Sequence, residues 1–419
     1  MSKLTQLYSK YLKDKLGLIN LFGKVFGRGL FLLLTSFFAY NLSVKDFAGF
    51  AIFWSTLRMF TFFSTNNLYI IYFNKVRENL IEHRIWSKTT SVNILFTLVL
   101  FSSISFGISI FIFKDFYFSL LLLPTLLFSV IIRNLSEFAK SDNSLYLSIF
   151  IEDFLLYFLF FISGIIGIFI SNSLFSIVVA LLISTTITAL ACVILFKRKF
   201  NIKITSYKIN LNDFSIQDFR LGINYTILRG NEFLSNFAVR YLGQIYFGDL
   251  FVAYAHIMYQ FYNVFTLLTM AVISGLQSKI AIKKTSEFNR IFIKKMYLVI
   301  LKTIVPFVLG LISIILIFNT QILSIFFPKY VAYNTLLVKV SLVGLVFMLI
   351  QPLVFILIYN NKITKIKTLN FTQYLVVFAV YLLPLFIIDI SEQFWLIIIM
   401  LNFILVQGAY AIVRYNRIE

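Results

Sequence analysis

Charge is what this sequence has least of. Only 13% of its 419 residues are Asp, Glu, Lys or Arg, whereas a soluble globular chain carries about 25% and needs them to cover its surface. A chain this poor in charge cannot wet its own exterior, and a soluble globular protein is excluded. Cysteine is nearly missing too: Cys192 stands alone, which rules out an internal disulfide framework. There are two histidines, so no metal-spaced His/Cys cluster forms, and no Gly-rich phosphate loop or nucleophile elbow occurs. No catalytic residue, metal or cofactor is therefore expected. A cleavable signal peptide is also not expected. The basic stretch Lys3, Lys10, Lys13, Lys15 leads into an apolar span too long for a signal core, with no small-residue cleavage motif after it.

What the sequence does have is apolar residues in long blocks. They make up 60% of the chain, the mean hydropathy is +0.91, and the stretch from Phe154 to Phe196 carries no charge at all. A run of about 20 apolar residues at 1.5 Å rise spans the ~30 Å hydrocarbon core of a bilayer. Twelve such runs are expected, near 17–40, 48–72, 91–113, 116–139, 146–170, 174–196, 221–243, 249–275, 297–318, 331–358, 368–388 and 393–413. A membrane β-barrel would show segments of about ten residues with strict alternation. These blocks are longer and do not alternate. The expected fold class is an all-α integral membrane protein with twelve transmembrane helices.

Lysine and arginine set the orientation, because short cytoplasmic loops retain positive charge. With the N-terminus inside, 26 of the 37 basic residues fall in inner loops and tails, while only Lys45, Lys114 and Lys329 fall outside. This places both termini in the cytoplasm. The net charge of +20 is then accounted for by topology and by anionic lipid at the inner leaflet, and no nucleic-acid partner is called for.

The largest inner loop, 197–220, divides the chain into halves of six helices, 1–205 and 206–419. A short internal repeat accompanies the division. Arg28-Gly29 is followed by Asp46 and Gly49-Phe50-Ala51, and Arg229-Gly230 by Asp249 and Ala253-Tyr254-Ala255. Six helices per half make both halves enter from the same side, as in parallel-repeat transporters.

Charges inside the spans are the candidate functional residues, since a charge near mid-bilayer costs about 2.5–3.5 kcal/mol on insertion scales and tends to face a wet cavity or a partner. Arg28, Arg58, Arg229 and Arg240 are the candidates for substrate binding, because the planar guanidinium fork suits phosphate and does not deprotonate. Arg58 has no acidic neighbour in its own span. Arg240 also lies close enough to the outer end of its span to snorkel. Arg229 with Glu232, and Arg133 with Glu137, read equally well as self-neutralising pairs on one helix face. Glu152, Asp153 and Glu232 are candidates for coupling to a proton or sodium ion, although solvation at the inner edge is the favoured reading of Glu152 and Asp153. His256 reads as a packed, hydrogen-bonding residue, Lys302 and Lys339 as structural, and Pro306, Pro352 and Pro384 as bending points.

The stretch Asn41 to Phe50 resembles the "LS-x-x-x-(Y/F)-G" turn between the first two helices of bacterial polysaccharide flippases. Here Leu42-Ser43 is followed by Phe47, and the glycine, Gly49, comes two residues after the aromatic. Length, span number and basic inner loops match as well, so the resemblance covers essentially the whole chain. It is to the O-antigen (Wzx-type) flippases of the multidrug/oligosaccharidyl-lipid/polysaccharide exporter superfamily. The resemblance implies a protein of the bacterial inner membrane, in lipopolysaccharide O-antigen or other polysaccharide biosynthesis. It would translocate undecaprenyl-pyrophosphate-linked oligosaccharide by alternating access, with the arginines holding the pyrophosphate. The implied partners are that lipid-linked oligosaccharide, membrane lipid and proteins of polysaccharide assembly. Two rivals remain: an organic-cation or multidrug exporter of the same superfamily, expected to line its cavity with carboxylates, and a membrane-embedded polysaccharide polymerase, expected to need larger external loops.

Overall fold

Helices account for nearly every described residue of the computed structural model, which describes residues 15–66, 68, 71, 88–141, 145–200, 214–282, 290–359, 366–387 and 390–416. Among them there is no strand. In chain order the long helices are α1 (Lys15–Asn41), α2 (Val44–Thr65), α3 (Lys88–Phe113) and α4 (Phe116–Ser141). Next, α5 starts as Leu145–Ser148, passes through a π-helical segment, Ile149–Leu155, and continues as Leu156–Ile170. Then come α6 (Leu174–Phe200), α7 (Ile216–Phe247), α8 (Asp249–Ile282) and α9 (Arg290–Phe326). A 3-10 turn, Pro328–Tyr333, leads to α10 (Asn334–Tyr359), α11 (Ile366–Phe386) and α12 (Glu392–Asn416). Eight helices among the described residues, α1 to α6, α9 and α10, are long and apolar enough to cross a membrane. Three of the other four, α7, α11 and α12, fall short for visible reasons. The apolar stretches of α11 and α12 are shorter, Tyr374–Phe386 and Glu392–Val406, and α7 carries Asp218, Arg220, Arg229, Glu232 and Arg240.

Contacts group the chain into two compact units, Asn41–Phe237 and Met1–Tyr40 with Ala238–Glu419. The units and the expected six-helix repeats are different divisions of the chain: residues 1–40 and 206–237 change sides between them.

The first unit, Asn41–Phe237, is built around α2. Most membrane-type helices in the chain expose one flank, but α2 is 83% buried and packs on α3, α4 and α6. Its composition permits this: Ala48, Gly49, Ala51, Ser55 and Thr56 alternate with large rings that fill the gaps, Phe47, Phe50, Phe53 and Phe62 among them. Hydroxyls inside such a helix need an acceptor, and three of them find it one turn back. Ser55 and Thr56 both donate to the Ile52 carbonyl, at 2.9 and 2.8 Å, and Thr65 to the Phe62 carbonyl at 2.8 Å, whereas the Thr61 and Ser64 hydroxyls are buried without a hydrogen bond. The start of α2 is fixed by Ser43, whose hydroxyl accepts from the Asp46 amide at 3.1 Å and donates to Asp46 Oδ2 at 2.7 Å. Asp46 in the first turn also meets the positive end of the helix dipole. Leu42 and Phe47 are fully buried beside this cap, and a Cβ on Gly49 would sit 2.7 Å from the Leu174 side chain. The flippase-like turn is therefore, in this chain, a helix cap with two apolar anchors and one close approach.

α2 ends on Asn66, which adopts the left-handed conformation (φ 46°, ψ 23°) and donates its amide to the Phe63 carbonyl. From there Asn66 reaches the start of α7: its Nδ2 donates to the Phe219 carbonyl at 3.2 Å and its Oδ1 accepts from the Thr226 hydroxyl at 3.2 Å. Asn93 on α3 closes a second pair, accepting from the Ser215 amide at 3.1 Å and donating to the Ser215 carbonyl at 3.4 Å. These four bonds hold the first turns of α7 in the first unit.

In the second unit, α10 is central and packs on α8, α9 and α12. The Ser36 hydroxyl of α1 donates to the Phe326 carbonyl, and Lys329 Nζ donates to the Tyr40 carbonyl at 2.8 Å, which ties the end of α1 to the α9–α10 connection. α9 runs on through Pro306, as membrane helices can, and its backbone leaves helical geometry at Phe318 (φ −115°, ψ 20°), twelve residues later.

Candidate functional site

A ladder of rings and guanidinium groups runs through the first unit. On α2, Trp54, Arg58 and Phe62 follow one another at four-residue spacing and so share one face. The Arg58 Cζ lies 5.9 Å from the centre of the Trp54 ring and 5.7 Å from that of Phe233 on α7. Arg133 on α4 lies 5.4 Å from Phe62 and 5.7 Å from the same Phe233. The Phe62 and Phe233 rings are stacked at 4.3 Å, 16° from parallel, and Trp54 stacks in turn on Phe160 at 6.0 Å. All four ring–cation distances fall within the ~6 Å at which a ring quadrupole attracts a cation. Arg133 Nε is buried and makes no hydrogen bond.

Carboxylates lie close by along the same helices. Glu137, one turn beyond Arg133, is buried. Ser136, between them, donates to Glu152 Oε2 at 2.7 Å and is 2.7 Å from the Ser148 hydroxyl. Glu152 and Asp153 sit in the π-helical segment of α5, and Asp153 is 7% exposed. For Asp153 the favoured expectation, solvation at an inner edge, is thereby corrected, while Glu152 is half-buried. The extra residue per turn of a π-helix turns consecutive side chains toward α4 and into the packed interior, and such segments are frequent at functional sites. Beneath them Cys192 is fully buried in an apolar cluster with Ile132, Leu135, Phe138 and Ile151.

The second unit has its own buried cation. Arg240 on α7 is 3% exposed, which corrects the expectation that it snorkels. Its Nη2 is 3.1 Å from His256 Nδ1, and its Cζ lies 4.9 Å from the Tyr259 ring. A guanidinium can only donate, so His256 Nδ1 accepts and the ring carries its proton on Nε2. His256 Nε2 is 3.3 Å from the Gln260 amide, which must then turn its oxygen toward the imidazole to accept that proton. Arg240, His256 and Gln260 form one directed chain, and His256 is packed and hydrogen-bonded as the sequence suggested.

The expected substrate arginines are thus distributed. Arg58 is half-buried in the first unit, and Arg28 is half-buried on α1 in the second unit. The side chains of Arg229 and Glu232 lie outside the described residues, as do Lys3, Lys10 and Lys13 of the tail. Lys302 and Lys339 are exposed. Among the described residues no group of His, Cys, Asp and Glu is arranged to hold a metal. Two members of these clusters escaped the sequence reading. Arg133 read as one half of an ion pair, and Phe233 was not singled out. The four-residue spacing Trp54-Arg58-Phe62 was the one signal pointing to a ring–cation arrangement. The position of Phe233 against it is a tertiary fact.

Solved structures share this architecture from end to end. The fold is that of the MATE transporters. The multidrug transporter DinF-BH of that group superposes with a TM-score of 0.66 at 15% identity, over 97% of this chain and 95% of its own. The Vibrio cholerae MATE transporter VcmN does so with 0.64 at 15% identity, over 99% and 98%. A transporter of the wider MOP superfamily from Pyrococcus furiosus, described as having a binding pocket of reverse polarity that suggests a different function, gives 0.63 at 13% identity, over 96% and 94%. No family model and no curated protein matches the sequence.

Proposed function

We propose that this chain is a multi-pass membrane exporter that works by alternating access. The observation that carries the reading is the match to MATE-type transporters over nearly the full length of both partners, joined to eight helices of membrane-crossing length and hydropathy. In this reading all twelve long helices cross the bacterial inner membrane, both termini are cytoplasmic, and the repeats 1–205 and 206–419 rock to open alternately to each side.

For the substrate, the neighbours favour amphipathic organic compounds, since several of them are multidrug transporters. The carboxylates Glu137, Glu152 and Asp153 supply the negative charge that an organic-cation exporter is expected to have. A specific observation favours a second reading, translocation of an undecaprenyl-pyrophosphate-linked oligosaccharide. Two guanidinium groups meet at one ring in the first unit, and a pocket of reverse polarity occurs in this fold. In that reading Arg28, Arg58, Arg229 and Arg240 take part in holding the pyrophosphate, and Glu152, Asp153 or Glu232 couples the cycle to an ion gradient.

Deleting the gene in its host and assaying dye sensitivity, surface polysaccharide and lipid-linked oligosaccharide together separates the two. New sensitivity to cationic dyes with unaltered polysaccharide establishes the drug exporter. Loss of surface polymer with single lipid-linked repeat units trapped on the inner leaflet establishes the flippase. Repeat units that reach the outer leaflet unpolymerised would overturn both in favour of an enzyme.

A further inference from the structure

On spacing alone, Arg133 pairs with Glu137 along α4, but in the structure its guanidinium reaches two other helices. Its Cζ lies 5.4 Å from the centre of the Phe62 ring on α2 and 5.7 Å from that of Phe233 on α7. Those rings attract the cation through their negative faces and offer no lone pair to an N–H. Arg133 Nε is buried and makes no hydrogen bond among the described residues, to Glu137 or to any other group. A buried donor left without an acceptor costs stability, and inside a bilayer no bulk water arrives to relieve it. Such orphans are few in native proteins, and each calls for a reason.

Nε has a particular place in a guanidinium. Its N–H runs parallel to one N–H of the neighbouring Nη, and the two form a side-on fork that meets two oxygens of an anion at once. Ring contact engages the charge and leaves that edge unused. The same stretch of the first unit carries further buried polar atoms without a hydrogen bond. Asn134 Oδ1 follows Arg133 on α4, and the Thr61 and Ser64 hydroxyls flank Phe62 and Phe63 on α2. Donors and an acceptor are thus present here beyond those the fold itself uses.

We propose that Arg133 is a binding residue for a phosphate group: its Nε edge takes two oxygens of one phosphate, while Phe62 and Phe233 hold the guanidinium in place. That chemistry is shared by the headgroup of a transported lipid-linked diphosphate and by an anionic phospholipid that enters the first unit. Assignment to the transported lipid rests on the second reading above, in which the substrate is anionic.

The test uses the full chain in nanodiscs of zwitterionic lipid, with farnesyl pyrophosphate as the probe. Calorimetric titration gives the affinity, and the rise in unfolding temperature on adding the probe gives a second readout. Arg133→Lys keeps a cation beside both rings but has no fork. It is expected to bind about tenfold more weakly, the scale of one charge-assisted hydrogen bond. Arg133→Met keeps most of the side chain's bulk and loses the charge as well, and is expected to lose about a hundredfold and most of the temperature rise. Repeating the titrations with phosphatidylglycerol in the nanodisc identifies the source of the phosphate. A loss of affinity larger in the unaltered chain than in Arg133→Lys shows a phospholipid headgroup on the same edge, and an equal change in both assigns the edge to the transported lipid. An Arg133→Lys variant that binds as tightly as the unaltered chain overturns the role of Arg133 and leaves the anionic-substrate reading standing. Failure of the unaltered chain to bind the probe in either lipid, while it binds a cationic dye, overturns both.

Discussion

At the scale of single residues, the buried charges show how a chain of this class holds cations inside. Arg240 is kept by a histidine acceptor and a tyrosine ring, and Arg58 and Arg133 by rings. Removing an acceptor is more damaging than removing a contact, because it leaves a buried donor group unsatisfied. His256→Leu is therefore expected to cost about 2–3 kcal/mol, the scale of a hydrogen bond to a charged group. It would appear as a lower thermal unfolding temperature of the detergent-solubilised protein. His256→Gln keeps an acceptor oxygen and recovers part of the loss. Arg58→Ala makes a different prediction: export is lost while membrane insertion and yield stay normal. Unchanged export in that variant, measured in a complemented deletion strain, would remove Arg58 from the site.

At the scale of elements, caps and close approaches decide where helices begin and how near they come. Ser43→Ala removes the cap of α2 and should lower stability by about 1 kcal/mol, with Ser43→Asp restoring it, since an aspartate oxygen accepts the same amide. Export per folded molecule should not change, because the cap is remote from the ring–arginine ladder in sequence and bonds only within its own turn. Gly222 is more demanding. A Cβ there would stand 2.5 Å from the Asn66 carbonyl, which is backbone and cannot swing away. Gly222→Ala should therefore cost about 1–3 kcal/mol, as overpacking does, and loosen the start of α7. Limited proteolysis of the 201–213 connection reads this out: faster cleavage is expected in Gly222→Ala, and an unchanged rate would contradict the clasp. The short repeat also finds a physical basis at this scale. Asp46 and Asp249 both fall in the first turn of their helices, α2 and α8, where a carboxylate complements the dipole.

For the whole molecule, the orientation inferred from 26 inner and three outer basic residues is open to a direct test, aided by the scarcity of cysteine. Cys192 is fully buried and behaves as a small apolar residue, so Cys192→Ala should cost only about 1 kcal/mol and give a functional cysteine-free background. Into it, Lys45→Cys and Lys329→Cys should react with a membrane-impermeant maleimide applied to intact cells, while Lys140→Cys should react only after permeabilisation. The reverse pattern would invert the topology.

Much of this protein was legible in its sequence, for a reason that belongs to its solvent. A bilayer admits few solutions to the backbone's hydrogen bonds, so apolar runs of the right length could be read as helices, and among the described residues each of the twelve expected runs overlaps one long helix. Single-helix features were readable too: the Ser43 cap, the four-residue spacing of Trp54, Arg58 and Phe62, and His256 as a packed residue. Whatever depends on two helices meeting was decided by tertiary structure. The sequence carries no record that Phe233 enters between α2 and α4, that Arg240 finds His256, or that Asn66 clasps α7. It likewise gives no sign that a π-helical segment turns Glu152 and Asp153 inward, because one extra residue in a turn leaves the apolar pattern of α5 almost unchanged while rotating what it faces. Hydropathy fixes which residues lie in helices, and side-chain packing fixes which of them touch.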